Sequence, residues 1–495
     1  MDDHQDRSRV VYWILCLLGV ATLLPWNVFI TESEFFDIRV HVPPTYDKIA
    51  DSAETAIVLV FQFVNFFALL VLIPLQRCIP LHQQVMTPLV LTFLVLVLAA
   101  ALALWTSASG AVVIWATLIS VGLMGATTAL LQGGLFGLAG LCPPIYVQAT
   151  SVGQAVAGFA VSVLSFLTTW AALVPEPGEE RGPRDVAMTA FAYFGLSAAV
   201  VVASMAGYWM LQLIPFWLHY TSSHSGHGKG KEEENVLEEG GVTLNGRGTD
   251  EVQGPSDEAA AVDDVPLLRA AARPGAAAGL KATSSGSLAV ACPQMPRRVA
   301  PVKELLWRMR WHSTSLALCF AVTIAVFPSI TASICSVHNP ARRPPCLPHT
   351  PYGRLSGDLF TPLLFLLFNM GDLLGRLLSG IGAYVHKSPP TSLLMGYALS
   401  RIVLAAALVF CHVVTPHAWR APELFRSDLV PVILVLVLGV SNGHLASLAS
   451  MHMPSLLPHN YRDQSGPVIA FAITAGLTAG SILALVLVAA LQTHL

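Results

Sequence analysis

The stretch FNMGDLLGR, residues 368–376, places a carboxylate and a guanidinium inside a hydrophobic segment that is long enough to cross a bilayer. Ionisable groups in hydrocarbon are costly, so they usually face a protein interior or a water-filled path and have a partner. Asp372 and Arg376 are one helical turn apart and can pair. Phe365 and Asn369 lie on the same helix face by the i, i+4, i+7, i+11 spacing. The stretch therefore predicts a polar wall inside a bundle of membrane helices.

The composition predicts a membrane protein throughout its length. The chain has 495 residues, of which 54% are hydrophobic and 12% are charged, and its mean hydropathy is +0.63. Such values are typical of a polytopic, all-α membrane protein rather than a globule with one core. Candidate spans, each near or above the roughly 20 apolar residues that a bilayer requires, run about 9–31, 53–76, 84–105, 110–139, 146–173, 186–214, 313–336, 358–382, 393–413, 428–452 and 466–492. About eleven transmembrane helices in a six-plus-five arrangement are expected.

A long polar gap divides the chain into two halves. We expect an N-terminal half with six spans at 1–218 and a C-terminal half with five spans at 311–495. Between them, residues 219–310 contain charged, Ala, Gly and Ser runs with almost no aromatic residues, which predicts a disordered linker. Basic residues just before the seventh span favour a cytoplasmic linker. Arginines in the opposite loops weaken that assignment, so charge bias alone does not fix the orientation.

The linker contains a short pattern that can act as a trafficking signal. Asp263, Leu267 and Leu268 fit an acidic dileucine pattern, which adaptor proteins read as an endosomal or lysosomal address, although so short a pattern also arises by chance. We expect the plasma membrane as the location, with an endolysosomal or vacuolar membrane as the alternative.

The sequence offers little for enzyme chemistry. It contains no metal-ligand cluster, P-loop or nucleophile elbow, so no metal and no cofactor are expected. An intramembrane hydrolase would need paired acids, a Ser and His dyad or a metal set, whereas the spans hold one convincing acid, Asp372. Cys335 and Cys346 flank a loop that lies outside the cell if the linker is inside, and there a disulfide is chemically permissible.

Five motifs together resemble the equilibrative nucleoside transporters, in that family's order. They are LLPWNVFIT (23–31), LLQGGLFGLAGLCP (130–143), SVGQAVAG (151–158), FNMGDLLGR and SNGHLASL (441–448). The resemblance implies a fold similar to the major facilitator superfamily, with two helical halves around a central site. It also implies sodium-independent, facilitated transport of nucleosides, with nucleobases as a further possibility, by alternating access. Proton-coupled symport and a non-transporting receptor remain the alternatives.

The resemblance also implies a set of substrate-binding residues. The matching positions are Leu23, Trp26, Ile30, Thr128, Gln132, Phe365, Asn369, Asp372, Arg376 and Leu477. By analogy, Trp26 packs against the base, Gln132 hydrogen-bonds it and Asp372 engages the sugar. The residues also allow structural roles: an interfacial anchor for Trp26, a helix–helix hydrogen bond for Gln132 and a self-satisfied ion pair for Asp372.

Two further residues are candidates for gating or for a response to pH. Arg401 matches a family arginine, which we expect at an inner gate or, by snorkelling, at the membrane surface. His444 stands where relatives commonly have an aromatic residue, and histidine titrates near neutral pH. A symporter would use Asp372, with His444, to carry a proton. Arg376 argues against that role, because an adjacent cation favours the charged carboxylate.

Overall fold

The computed structural model describes residues 9–31, 39, 53–75, 78–105, 107–171, 183–222, 300–339, 346, 350–414 and 424–492. The long helices are α1 (Val10–Thr31), α2 (Ala53–Leu75), α3 (Leu81–Leu104), α4 (Gly110–Gly140), α5 (Pro144–Ala171), α6 (Pro183–Leu211), α7 (Val302–Val326), α8 (Phe360–Leu378), α9 (Thr391–Val409), α10 (Leu429–His452) and α11 (Ser465–Gln492). In these ranges, eleven helices are long and apolar enough to cross a membrane. The prediction of an all-α, multi-pass membrane protein is therefore confirmed.

Helices α1–α6 form the N-terminal half and α7–α11 the C-terminal half, and both belong to one compact unit of the chain. The second unit, Gly226–Gln294, lies outside the described residues, as does the dileucine pattern at Asp263, Leu267 and Leu268. The disordered linker therefore stays a prediction for that part of the chain.

Helix α7 begins earlier than the sequence predicts. The seventh span was expected at 313–336, after a linker that ends at 310, but the helix starts at Val302. Its first turns are polar, and Arg308 Nε lies 2.6 Å from Glu304 Oε1 one turn back. Such i, i+4 pairs stabilise a helix without adding hydropathy, so a search for apolar residues alone misses this part.

The other end of α7 is set by proline. Val326 is the last helical residue, and Phe327 has extended backbone angles of φ −118° and ψ 125°. Pro328 follows, and the residue before a proline is disfavoured in the helical region. The α-helix therefore ends at Val326, and the candidate membrane span continues through a short 3-10 turn to Ser333, close to the predicted position 336.

The loop after α7 is tied to the end of α9 and to itself. Ile334 and Val413 form an isolated antiparallel bridge, and a disulfide joins Cys335 to Cys346. Further along, Gly353 has a φ of +91°, which favours glycine, and it leads into a short 3-10 turn at Arg354–Ser356.

Helix α8 crosses α10 at unusually close range. A Cβ atom on Gly375 would overlap the carbonyl of Val440, and one on Gly443 would overlap the carbonyl of Asp372. Small residues at such a crossing let two membrane helices approach main chain to main chain. As a result Asp372 of α8 lies directly against Asn442 of α10.

The two halves pack together through six helices. Helix α5 lies against α8 and α10, and α11 lies against α4 and α2. The largest hydrophobic cluster contains buried residues from both halves, among them Leu135 of α4 and Ile469 of α11. Polar residues on the facing surfaces of these helices therefore lie between the two halves.

Candidate functional site

A buried ion pair lies at the centre of the candidate site. Arg376 Nε lies 2.9 Å from Asp372 Oδ2, and each residue is only 6% exposed. The pairing predicted from the i, i+4 spacing on α8 is confirmed. On the other carboxylate oxygen, Asn442 Nδ2 donates a 2.6 Å hydrogen bond to Asp372 Oδ1. Asp372 therefore has a donor on each oxygen.

Arg376 reaches across to the N-terminal half. Its Nη1 donates to the carbonyl of Ser151 at 2.9 Å and lies 3.5 Å from Gln154 Oε1, both on α5. Gln154 Nε2 in turn donates to Thr22 Oγ1 on α1 at 3.3 Å. The ion pair is thus connected through α5 to the first helix, which carries Leu23 and Trp26.

The pair keeps hydrogen-bonding capacity for a ligand. A carboxylate has about four lone-pair positions, and the contacts above occupy one on each oxygen of Asp372. Within the described part of the chain, Nη2 of Arg376 makes no hydrogen bond. A hydroxyl group is both donor and acceptor, so it can donate to Asp372 and accept from Arg376. This arrangement is suited to a neutral ligand rich in hydroxyls.

Asn369 and Phe365 continue the face of α8 one and two turns before the ion pair, and both are partly buried. Asn369 Nδ2 donates to Ser162 Oγ on α5 at 2.7 Å and to the carbonyl of Phe365 at 3.0 Å. The Phe365 ring centroid lies 5.0 Å from that of Phe327. These residues join α8 to α5 and line the same face as Asp372.

Trp26 lies inside the bundle. Its ring is stacked on Phe61 of α2, with centroids 3.7 Å apart and planes 10° from parallel. Trp26 and Leu23 are partly buried, and Trp26 packs against the largest hydrophobic cluster. The side chain of Ile30 lies outside the described residues. The stack therefore holds the Trp26 ring against α2 within the bundle.

Thr128 and Gln132 lie on the buried face of α4, where they are 5% and 4% exposed. Among the described residues, no hydrogen bond is made by the side-chain amide of Gln132, so the structure does not contain the helix–helix bond that its structural role would need. The described contacts do not bring Gln132 against Asp372.

Leu477 on α11 is partly buried against the largest hydrophobic cluster. Thr474, one turn before Leu477, and Thr478, the next residue, both hold α2. Thr474 Oγ1 donates to Asn65 Oδ1 at 2.8 Å, and Gln62 Nε2 donates to Thr478 Oγ1 at 2.9 Å. These amides therefore join the two halves beside Leu477.

Arg401 does not lie at the membrane surface, so the snorkelling expectation is wrong. The residue is 0% exposed and lies between α7, α9 and α10. Its Nη1 donates to the carbonyl of Cys319 at 2.6 Å and its Nε donates to Ser441 Oγ at 3.0 Å. Main-chain carbonyls and hydroxyls inside the bundle satisfy the guanidinium, so it has no need to reach the interface.

His444 is partly buried between two tyrosines. Its ring centroid lies 5.1 Å from that of Tyr384 and 5.9 Å from that of Tyr397. No described contact connects it to the carboxylate of Asp372.

Several residues of the site escaped the sequence analysis. Asn442, Ser151 and Gln154 stand within the motifs SNGHLASL and SVGQAVAG, but the motifs alone did not single them out. Each is a polar residue in an apolar span, and that was the available signal. In the described residues, no group of three or more His, Cys, Asp or Glu side chains could hold a metal ion.

Comparison with known proteins identifies the family. A family model described as "Nucleoside transporter" matches residues 118–489, which is most of the chain. The chain belongs to the nucleoside transporter family. Membership makes it a transporter rather than an enzyme, and the family predicted from the five motifs is confirmed.

Curated relatives of the family match nearly the whole chain. Equilibrative nucleoside transporter 2 of Homo sapiens is 28% identical over 97% of this chain and 97% of its own length. Equilibrative nucleoside transporter 1 of Rattus norvegicus is 25% identical over 98% of each. Among solved structures, the major facilitator superfamily proton:xylose symporter XylE matches with a TM-score of 0.55 at 11% identity and covers 98% of this chain and 89% of that one. The likeness to XylE concerns the fold alone.

Proposed function

We propose that this protein carries nucleosides across a membrane down their concentration gradient, without sodium, by alternating access. Its family supports the substrate class. The observation that carries the proposal is the buried pair of Asp372 and Arg376, which keeps acceptors and donors available between the two halves. A ribose supplies the matching hydroxyls.

The proposed site combines the polar pair with apolar and amide groups. Leu23, Trp26, Ile30, Phe365 and Leu477 supply its apolar walls, and Thr128, Gln132, Asn369, Asp372 and Arg376 supply its polar groups. Such a mixture suits a nucleoside, because the base needs flat apolar surfaces and a few placed polar groups. The free amide of Gln132 supports a base contact, and the stack of Trp26 on Phe61 supports a flat wall.

Alternating access is supported by the way the halves meet. At one end of the bundle, Gln148 Nε2 of α5 donates to the carbonyl of Arg376 of α8 at 2.7 Å. Near the opposite end of α5, Arg354 Nη1 donates to the carbonyl of Trp170 at 2.7 Å. A carrier that opens to one side at a time needs contacts of this kind that break at one end while the other end holds.

Uptake of labelled adenosine and uridine into proteoliposomes tests the proposal. Saturable uptake that is indifferent to sodium and to a proton gradient, and that is strongly reduced in Asp372→Ala and Gln132→Ala, is the expected result. Ser400→Ala is the matched control, because its exposed hydroxyl bonds only to the carbonyl of Tyr397 in the structure. Accumulation driven by the proton gradient would establish symport instead. No uptake by folded protein would overturn the assignment.

The protein is an integral, multi-pass membrane protein, and we place it in the plasma membrane. Substitution of Leu267 and Leu268 by alanine in a fluorescent fusion tests this location. An unchanged surface signal is expected, whereas a shift from internal membranes to the surface would show that the dileucine pattern operates and that adaptors bind it.

A further inference from the structure

A second buried guanidinium lies behind the candidate site. Arg401 is fully buried, and its Nη2 lies 2.6 Å from Thr323 Oγ1 of α7. In the part of the chain that the structure describes, no carboxylate forms an ion pair with it. A buried cation without a direct counter-ion is costly unless surrounding dipoles and a nearby anion stabilise it. The nearest such anion in its hydrogen-bonded network is Asp372.

Asn442 is the link between the two. Its Oδ1 lies 3.4 Å from Arg401 Nη2 and 2.8 Å from Thr323 Oγ1, while its Nδ2 donates to Asp372 Oδ1 at 2.6 Å. Because the guanidinium faces Oδ1, the amide can have only one orientation, with its NH₂ group toward the carboxylate. Arg401 thereby fixes which way Asn442 donates.

The charges around Asp372 are unequal. Arg376 contacts Asp372 from the same helix, α8. Arg401 of α9 lies on the far side of Asn442 of α10, and the thiol of Cys319 on α7 adjoins Arg401. One guanidinium therefore contacts the carboxylate directly, and a second is connected to it through the amide of Asn442.

We propose that Arg401 and Asn442 are positioning residues for Asp372: they hold its carboxylate in one orientation, turned toward the hydroxyls of the substrate, although they act only through Asp372. This inference rests on the proposed function. It assigns Arg401 a role in substrate affinity rather than at a gate.

Nucleoside uptake by single variants is the first test. Asn442→Ala removes a hydrogen bond to a charged group, so KM for uridine is expected to rise about tenfold or more with little change in the maximal rate. Arg401→Gln is expected to act in the same direction, and Arg401→Lys, which keeps the charge, to restore part of the affinity. Ser441→Ala is the matched control, because it removes one bond to Arg401 and leaves the contact between Asn442 and Asp372. Its effect should be clearly smaller.

The combination with Asp372→Asn separates positioning from general damage. If Asn442 acts through Asp372, adding Asn442→Ala to Asp372→Asn should not weaken uridine binding further, whereas independent roles would give multiplied losses. Unchanged KM in both Asn442→Ala and Arg401→Gln, or multiplied losses in the double variant, would overturn the inference.

An infrared measurement gives a readout that needs no substrate. The carboxylate stretching band of Asp372, identified by its absence in Asp372→Asn, is expected to shift in Asn442→Ala and in Arg401→Gln. Folding of each variant is checked by its thermal unfolding in detergent. An unmoved band would overturn the inference whatever uptake shows. If the band shifts in the variants but the wild-type protein takes up no nucleoside, the positioning role of Arg401 and Asn442 stands and the proposed function is rejected.

Discussion

The side chain of Gln148 joins the two halves of the transporter, because its Nε2 donates a 2.7 Å hydrogen bond to the main-chain carbonyl of Arg376. Gln148 is 1% exposed, and its Oε1 accepts a 3.0 Å bond from the hydroxyl of Tyr12 on α1. The bond to Arg376 ends on the residue whose side chain pairs with Asp372. The candidate site and this contact between the halves therefore lie on the same turn of α8.

Gln148→Ala is expected to favour opening at this end of the bundle. The variant loses the bond between the halves, which contributes about 1 kcal/mol, or severalfold in the population of the two states. Spin labels at Gln83 and Ser455, both exposed and on opposite halves near this end, should show a larger share of long distances. Tyr12→Phe is the control, because it removes only the bond within the N-terminal half. Equal distance distributions in Gln148→Ala and wild type would contradict the prediction.

Arg354→Ala is expected to act in the opposite direction. Arg354 bonds the carbonyl of Trp170 at the far end of α5, and pairing with Asp358 raises the pKa of its guanidinium, so the contact persists over the physiological pH range. Its loss should favour opening at that end and shorten the mean distance between labels at the Gln148 end. If Arg354→Ala and Gln148→Ala shift the distances in the same direction, the two contacts do not oppose each other.

Gly375→Ala is expected to destabilise the protein and abolish uptake. The new methyl group would overlap the carbonyl of Val440, and overpacking of this kind costs about 1–3 kcal/mol. Gly396→Ala on α9 is the matched control, because nothing lies within 4 Å of the added Cβ there. The thermal unfolding temperature in detergent should fall for Gly375→Ala and stay level or rise for Gly396→Ala. A stable, active Gly375→Ala protein would show that α8 and α10 can separate freely.

The sequence predicted the positions of the helices better than it predicted which side chains of different helices are in contact. Apolar length defines a span, so eleven helices could be placed from hydropathy alone, except where polar turns extend α7 to Val302. The pairing of Asp372 with Arg376 follows from helical spacing within one segment. Asn442 could not be paired with Asp372 in this way, because their contact depends on the close crossing of two helices that are distant in the chain. The burial of Arg401 has the same origin.

Gln132→Met separates the base contact from a structural role. In the described part of the chain, the Gln132 amide makes no hydrogen bond, so a side chain of similar length should leave the thermal unfolding temperature nearly unchanged. Uridine affinity should fall about three- to tenfold if the amide bonds the base. Thr92→Val is a buried control, because it deletes a hydroxyl that bonds Thr127 away from the proposed contact. Lost stability with unchanged affinity would assign Gln132 to helix packing.

Removal of the sugar hydroxyls tests the hydrogen-bond acceptor positions that remain free on Asp372. With one donor already on each of its oxygens, the carboxylate can still accept one hydroxyl on each, which suits the neighbouring hydroxyls of ribose. Wild-type protein should therefore prefer uridine to 2′,3′-dideoxyuridine by roughly ten- to a hundredfold for each of the two missing hydroxyls, since a hydrogen bond to a charged group contributes about 1.5–3 kcal/mol. In Asp372→Asn this preference should largely disappear, because the amide is a weaker acceptor and Arg376 loses its counter-ion. Competition against labelled uridine measures both values, and 5′-deoxyuridine serves as the matched ligand. A preference that survives in the variant, or a loss confined to 5′-deoxyuridine, would place the sugar in another orientation.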